Sequence, residues 1–251
     1  MVDKEDFIMS ITKKYFAFLQ EKMDEVVEKQ TPNIEAAAKI VAECCENGGR
    51  FYVFGSGHSH MVAEEIYIRA GGLGFVKAIL SPELMLHEMP NKSTWLERLE
   101  GYSTAIVDLY KVDNKDVIMI ISNSGRNSVP VEMALAAKEK GAKVIALTSM
   151  RHSTVVTSRH SSGKKLYELA DVVIDNCADM GDANFYIENF DVPTGPTSDA
   201  TGVAIAQALI VTVIDEMVKD GFQPPVLMSS NVDGADDYNN ELFDKYYGYW
   251  K

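Results

Sequence analysis

DVIMIISNSGRNSVPVEMA, residues 116–134, changes character at its centre. Val117 to Ile121 are five apolar residues without a break, as in a strand covered on both faces. Ser122, Asn123, Ser124, Gly125, Arg126, Asn127 and Ser128 follow, and beyond Pro130 the residues Val131, Met133, Ala134 and Leu135 take helical spacing. A buried strand, a loop of small polar residues and a helix form one strand-to-helix unit of an α/β sheet.

The rest of the chain repeats that unit. Short apolar runs predict strands at 51–55, 75–80, 143–148 and 172–175, besides 116–121. Helical patterns fall between them at 58–70, 95–110, 129–140 and 162–169. This alternation predicts a doubly wound fold with a five-stranded parallel sheet covered by helices on both sides.

The ends are different. Phe7, Ile8, Ile11, Tyr15, Phe18, Leu19, Met23 and Val26 make a helical stripe ahead of the first strand. Pro32 reads as the start of a second helix that stops at Gly48-Gly49. A helix outside the sheet alternation has a second subunit as one place to bury its apolar face, so a homo-oligomer is expected. Residues 176–197 read as a long loop and 198–219 as a helix. The tail 220–251 carries Tyr238, Phe243, Tyr246, Tyr247, Tyr249 and Trp250, which predicts packing on the body or on a neighbour. The expected division is a helical oligomerisation segment over 1–34, a ligand-binding domain over 35–219 and a packed tail over 220–251.

Composition sets outer bounds. The 251 residues are 46% hydrophobic, which suffices for a sizeable core, and their formal net charge is -13. That charge argues against nucleic acid or an anionic membrane as partner. It leaves room for a small anion, because local backbone dipoles outweigh distant charge. Cys44, Cys45 and Cys177 show no C-x-x-C spacing and read as reduced packing residues. The charged start MVDKEDF lacks a signal-peptide core, and the apolar run 202–214 is short for a bilayer and carries Gln207. A cytoplasmic location is expected.

Two loops at strand ends share one chemistry. FGSGHSH, residues 54–60, follows the first strand, and SNSGRNS, residues 122–128, follows the third. In a doubly wound sheet, ligands lie beyond the carboxyl ends of the strands. Helix N-termini there offer unpaired N–H groups and a partial positive charge. Gly125 permits a close turn, and Ser122, Ser124 and Asn127 add donors, so the parts of a neutral phosphate cradle are present. The alternative is that Ser and Asn only cap a helix.

With G-x-G-x-S at 55–59, S-x-S-G at 122–125 and EKGAKVIALTS at 139–149, the chain resembles the SIS (sugar isomerase) domain family over about residues 35–215. It is most similar to the phosphoheptose-isomerase branch, and within it to a bacterial subgroup with GSGHSHMVAEE. The resemblance implies a flavodoxin-like αβα sandwich, a dimer or tetramer with sites at subunit contacts, and a phosphorylated sugar as ligand. It implies no organic cofactor. Carried over by residue, it places ligand contacts at Gly55, Ser56, Ser59, Ser122, Asn123, Ser124, Gly125 and Asn127, with Ser198 opening a helix that closes the pocket. GPTSDATG, 195–202, is similar to a stretch of arabinose-5-phosphate isomerases, as is SPELMLHE, 81–88. The branch has a glutamate where Arg69 stands here, and its zinc-site positions fall on Glu65, Asp199 and Gln207, so no metal is implied.

The chemistry implied is aldose–ketose isomerisation, which needs a base beside the carbonyl and a group that handles the ring oxygen. Glu65 is the first candidate base. It shares a helix face with His58, Val62 and Arg69, and a Glu65–Arg69 ion pair is the structural alternative. His87 is the second, since a histidine suits ring opening. Asp199 completes the set. Two other readings stay open: a lyase or etherase acting on an amino-sugar phosphate, and a non-catalytic sensor of a sugar phosphate.

Overall fold

A computed structural model describes residues 9–248. The predicted contacts of Phe7, Ile8, Tyr249 and Trp250 lie outside the described residues. The chain opens with α1 (Ile11–Glu46), followed by β1 (Phe51–Gly55), α2 (Ser59–Glu65) and β2 (Val76–Ile79). A 3-10 turn at Pro82–Leu84 leads to α3 (Lys92–Leu96), α4 (Tyr102–Leu109), β3 (Val117–Ile121) and α5 (Ser128–Glu139). Then come β4 (Lys143–Thr148), α6 (Met150–Ser153), α7 (Leu166–Leu169) and β5 (Val172–Asp175). A hairpin of β6 (Ala183–Ile187) and β7 (Phe190–Pro196) precedes α8 (Ser198–Lys219) and α9 (Ala235–Tyr247).

The sheet is five-stranded and parallel in the order β2-β1-β3-β4-β5, so all five predicted strands are present. Alternate residues feed two cores. Phe51, Val53, Met119 and Leu147 face α1, α2 and α8, while Tyr52, Phe54, Ile118 and Ile120 face α4 and α5. Chain direction around the sheet reverses between β1 and β3, and Gly55 pairs with Ile121 at their carboxyl ends. This is the point where an open α/β sheet leaves a crevice. The two Ser/Gly loops therefore emerge side by side.

Four expectations need correction. First, α1 is one helix, and Pro32 lies inside it. Proline removes one main-chain bond, at about 3 kcal/mol in a helix interior. Burial of Val26, Gln30 and Ile34 on either side of it, against α8 and β5, offsets that cost. Second, the helix predicted over 58–70 ends at Glu65. Residues 71–74 leave it to bond the tail: Gly71 N–H donates to Leu227 O at 2.8 Å and Gly74 N–H to Pro225 O at 2.7 Å. Third, the helix predicted over 95–110 breaks at Gly101, whose φ of 89° is left-handed. Glu132 caps the new start by accepting from Gly101 N–H, Ser103 N–H and Thr104 Oγ1 at 2.8, 3.0 and 2.9 Å. Fourth, 176–197 is no open loop, because it contains the β6–β7 hairpin.

That hairpin takes part of the N-terminal stripe. Tyr15 and Phe18 each lie 5.6 Å from the Phe185 ring, centre to centre, and Lys22 pairs with Asp179 at 2.6 Å. The tail packs on the body: Tyr246 meets Phe75, and Tyr247 donates to Val76 O. α8 is the one helix among the described residues long and apolar enough to cross a membrane by length and composition, unlike the shorter run read from sequence. Its Ile205, Leu209, Val213 and Met217 are instead buried in the first core. Cys44, Cys45 and Cys177 are free and buried, and burial pushes each thiol up to about 12.

Candidate functional site

The crevice between β1 and β3 holds a cleft of about 280 Å³. Its first wall is the loop after β1, with Ser56, Gly57, His58 and Ser59. Its second is the loop after β3, with Ser122, Asn123, Ser124 and Asn127. Leu86, Ser93, Thr94 and Glu97 close one side, and His152 of α6 the other. A larger groove of about 530 Å³ runs between α1 and the edge strand β5 and shares none of these residues.

The loop after β3 is rigidly built. Gly125 has φ of 58°, and a Cβ there would lie 3.2–3.3 Å from Ser153 Oγ, Leu166 Cβ and Thr148 Oγ1. Its N–H donates to Ser122 Oγ at 3.2 Å, which turns the Ser122 hydroxyl hydrogen away from the loop. Asn123 is anchored through its carbonyl by Ser149 N–H at 3.0 Å and through its side chain by Asn176 Nδ2 at 3.0 Å. Asn127 stands at the N-cap of α5 but makes no side-chain cap bond. Its Nδ2 donates to Glu97 Oε1 at 2.7 Å, and its Oδ1 accepts from Arg159 Nη1 at 2.7 Å. Plain helix capping therefore does not account for Asn127. Asn127 brings the start of α5 to the cleft wall, where Val129 N–H is already bonded to Glu97 O and the Glu97 carboxylate stands against the positive end of the helix.

Glu97 went unread in the sequence. It follows Leu96 in LERLEGY, where it looks like the solvent face of a continuous helix. The break at Gly101 and the bond from Val129 N–H to Glu97 O at 2.9 Å turn it into the cleft. Its carboxylate accepts from Ser56 Oγ at 2.8 Å and from Asn127 at 2.7 Å, so it ties the two loops together. Burial pushes its carboxyl above the ordinary range, against the opposing pull of Ser56, Arg98 and Arg159. His152 moves the other way: burial, and then the nearby Arg126, lower its imidazole.

The three catalytic candidates are not gathered in one place. Glu65 sits in the last turn of α2, off the cleft lining, bonded to Arg69 at 2.9 Å and to Gln207 Nε2 at 3.2 Å. The ion-pair alternative raised from spacing is thus the contact present. His87 also lies off the lining, its ring 6.2 Å from that of His60. Asp199 stands in the first turn of α8, half-buried. Burial raises its carboxyl, His58 and His60 draw it down, and Asp182 adds to the rise. Ser198 donates its hydroxyl to Asp182 Oδ2 at 2.7 Å, so that hydrogen is already committed. Among the described residues no group of three or more His, Cys, Asp or Glu side chains is arranged to hold a metal ion.

A family model described as SIS domain matches residues 14–149. UPF0309 protein BH3325 of Halalkalibacterium halodurans is 62% identical over 232 residues, 92% of this chain and 96% of that one. The fold is also that of a phosphoheptose isomerase from Neisseria gonorrhoeae, with a TM-score of 0.53 at 18% identity, over 81% of this chain and 97% of that one. The sugar isomerase domain of an RpiR transcription factor from Sphaerobacter thermophilus gives a TM-score of 0.53 at 14% identity, over 94% and 98%. An enzyme and a regulator thus share this architecture.

Proposed function

Because the chain belongs to the SIS-domain family, we propose that the β1–β3 cleft binds a phosphorylated sugar and that the protein is a sugar-phosphate aldose–ketose isomerase. The observation that carries this reading is the wall formed by Ser122, Ser124 and Asn127 at the start of α5, which offers hydroxyl and amide groups to the cleft without a lysine or arginine in its lining. Ser59 and the backbone at Gly55 and Gly125 complete the site. The sugar then extends toward His58 and the start of α8. Isomerisation passes through an enediol: a base takes the proton beside the carbonyl and returns it to the neighbouring carbon.

Glu65, His87 and Asp199 remain the proposed proton-handling groups; none of them lines the cleft, and we favour Asp199 because the charge of His58 on the cleft wall acts on its carboxyl. No organic cofactor and no metal enters this scheme, and a cytoplasmic location goes with it. The test is a screen of C5–C7 aldose and ketose phosphates for interconversion and for deuterium uptake from solvent, with thermal shift in parallel. A sugar phosphate that raises the melting temperature with no exchange supports the second reading, a sensor. The Glu65–Arg69 pair outside the cleft favours that reading, as does Arg69 in place of a glutamate. A lyase or etherase acting on an amino-sugar phosphate would instead release a fragment.

The 1–34 segment is proposed to mediate a dimer or tetramer. Ile11, Phe16 and Val27 of α1 stay exposed beyond the hairpin contact. Light scattering at micromolar concentration is expected to give a multiple of 27.8 kDa, and a monomer would remove the proposal.

A further inference from the structure

We propose that Glu97 sets the polarity of the cradle through Ser56: the cleft takes up an anionic sugar phosphate together with one proton, which resides on the Glu97 carboxyl. This rests on the cleft being the phosphosugar site. A serine hydroxyl carries one hydrogen and two lone pairs, and an ionised carboxylate only accepts. As long as Glu97 is ionised, the Ser56 hydrogen points at Glu97 Oε2, 2.8 Å away. Ser56 then presents lone pairs to the cleft, and a negative charge stands behind them. Both oppose an incoming phosphate.

One proton reverses this. With Oε2 protonated, Glu97 donates to Ser56 Oγ, and the Ser56 hydrogen is released to donate to the ligand. Glu97 Oε1 goes on accepting from Asn127, so the tie between the loops survives. The proton comes from solvent. The setting makes the switch accessible, since burial already favours the neutral carboxyl. Facing Glu97 are Arg98 on its own segment and Arg159 from the connection after α6, both favouring the charged form. Asn127 before α5 and Ser56 after β1 are its neutral contacts, and the imidazoles of His58 and His152 line the rest of the cleft. A dianion bound by Ser56, itself one hydrogen bond from Glu97 Oε2, opposes the pull of the arginines and favours the neutral carboxyl.

The sign follows by linkage. A site that gains a proton on binding weakens as pH rises, by up to about tenfold per pH unit above the free group's titration. Glu97→Gln imitates the neutral carboxyl, since its amide donates to Ser56 and accepts from Asn127. The probe is inorganic sulfate, whose charge does not change between about pH 5 and 8, read by the amide shifts of residues 122–127. The parent is expected to match Glu97→Gln at the acidic end and to fall behind it by an order of magnitude or more at the basic end. Any effect of the imidazoles is common to both proteins. Parallel curves would overturn the role of Glu97 and leave the cradle standing. Failure of both proteins to bind sulfate or phosphate would remove the cradle, and this inference with it. Should Glu97→Gln not fold, the carboxyl carbon of Glu97 in the parent decides: its titration must move to higher pH with sulfate, and an unmoved midpoint refutes the coupling.

Discussion

Alanine in place of Gly55 is expected to cost about 3 kcal/mol or more of stability and to dismantle the cleft. A Cβ at this position would lie 2.4 Å from Ser59 O and 2.8 Å from His60 N. Both are backbone atoms of the first turn of α2, so no side chain can rotate away. The helix must move, or β1 must leave its register with β3. Either movement pulls Ser56 from Glu97 and opens the wall that carries His58 and Ser59. The measurement is urea unfolding with the slope checked for constancy, since a lower midpoint at equal slope is a loss of stability. A midpoint equal to the parent's would show that α2 is free to shift, and the cleft would then not be preorganised by this contact.

The second large effect concerns chemistry. Asn in place of Asp199 should lower turnover on the order of 10²-fold or more and leave ligand affinity nearly unchanged. Burial keeps the Asp199 carboxyl above its ordinary range, which makes it a stronger proton acceptor than a surface aspartate. The charge of His58, on the cleft wall, acts on it, so a sugar that runs past His58 from a phosphate fixed at Ser122 and Ser124 would carry its first carbons toward it. Asparagine keeps the size and removes the basicity. Deuterium from solvent should enter beside the carbonyl in the parent and not in the variant. Glu65→Gln and His87→Gln are run alongside, and a comparable loss in either would move the base to that residue. In Glu65→Gln the pair with Arg69 is also lost, so its melting temperature has to be recorded with its exchange rate.

Much of the fold is readable because the strands are apolar on both faces. Runs such as Val117 to Ile121 have no other home than a covered sheet. Both ligand loops follow from their place after β1 and β3, since a chemistry of serine, glycine and asparagine stands out against apolar strands. What sequence hides is decided by distant partners. Pro32 looks like a boundary because proline disfavours helix interiors, and only the packing of Val26 and Ile34 overrides it. α2 stops early because the tail, more than 150 residues later in the chain, pairs with residues 71–74. The hairpin did leave a signal: NFYIENFDV has strand-forming residues around Glu188-Asn189, and Asn189 takes a left-handed φ of 61°. Glu97 left none. Its spacing fits a solvated helix face, and its burial depends on the kink at Gly101, which Glu132 holds from another helix. Glu65 is the converse. Its spacing from His58 suggests a shared face toward the ligand, yet Arg69 and Gln207 engage it outside the cleft.

Binding of a sugar phosphate by the Ser122→Ala, Ser124→Ala double variant tests the cradle most directly. Each serine supplies one hydroxyl donor at the N-terminal end of α5, but Ser122 also accepts from Gly125 N–H at 3.2 Å and so helps hold the loop. Ser124→Ala alone leaves that bond in place, so it is run beside the double variant, and the melting temperature of each is recorded with its affinity. Each lost donor to a charged phosphate is worth about 1.5–3 kcal/mol, so affinity for the best sugar phosphate of the screen should fall by two orders of magnitude or more. Calorimetry of parent and variant at one pH reads this without any assumption about catalysis. Equal affinity in the two proteins would place the phosphate elsewhere and contradict the assignment of the β1–β3 cleft.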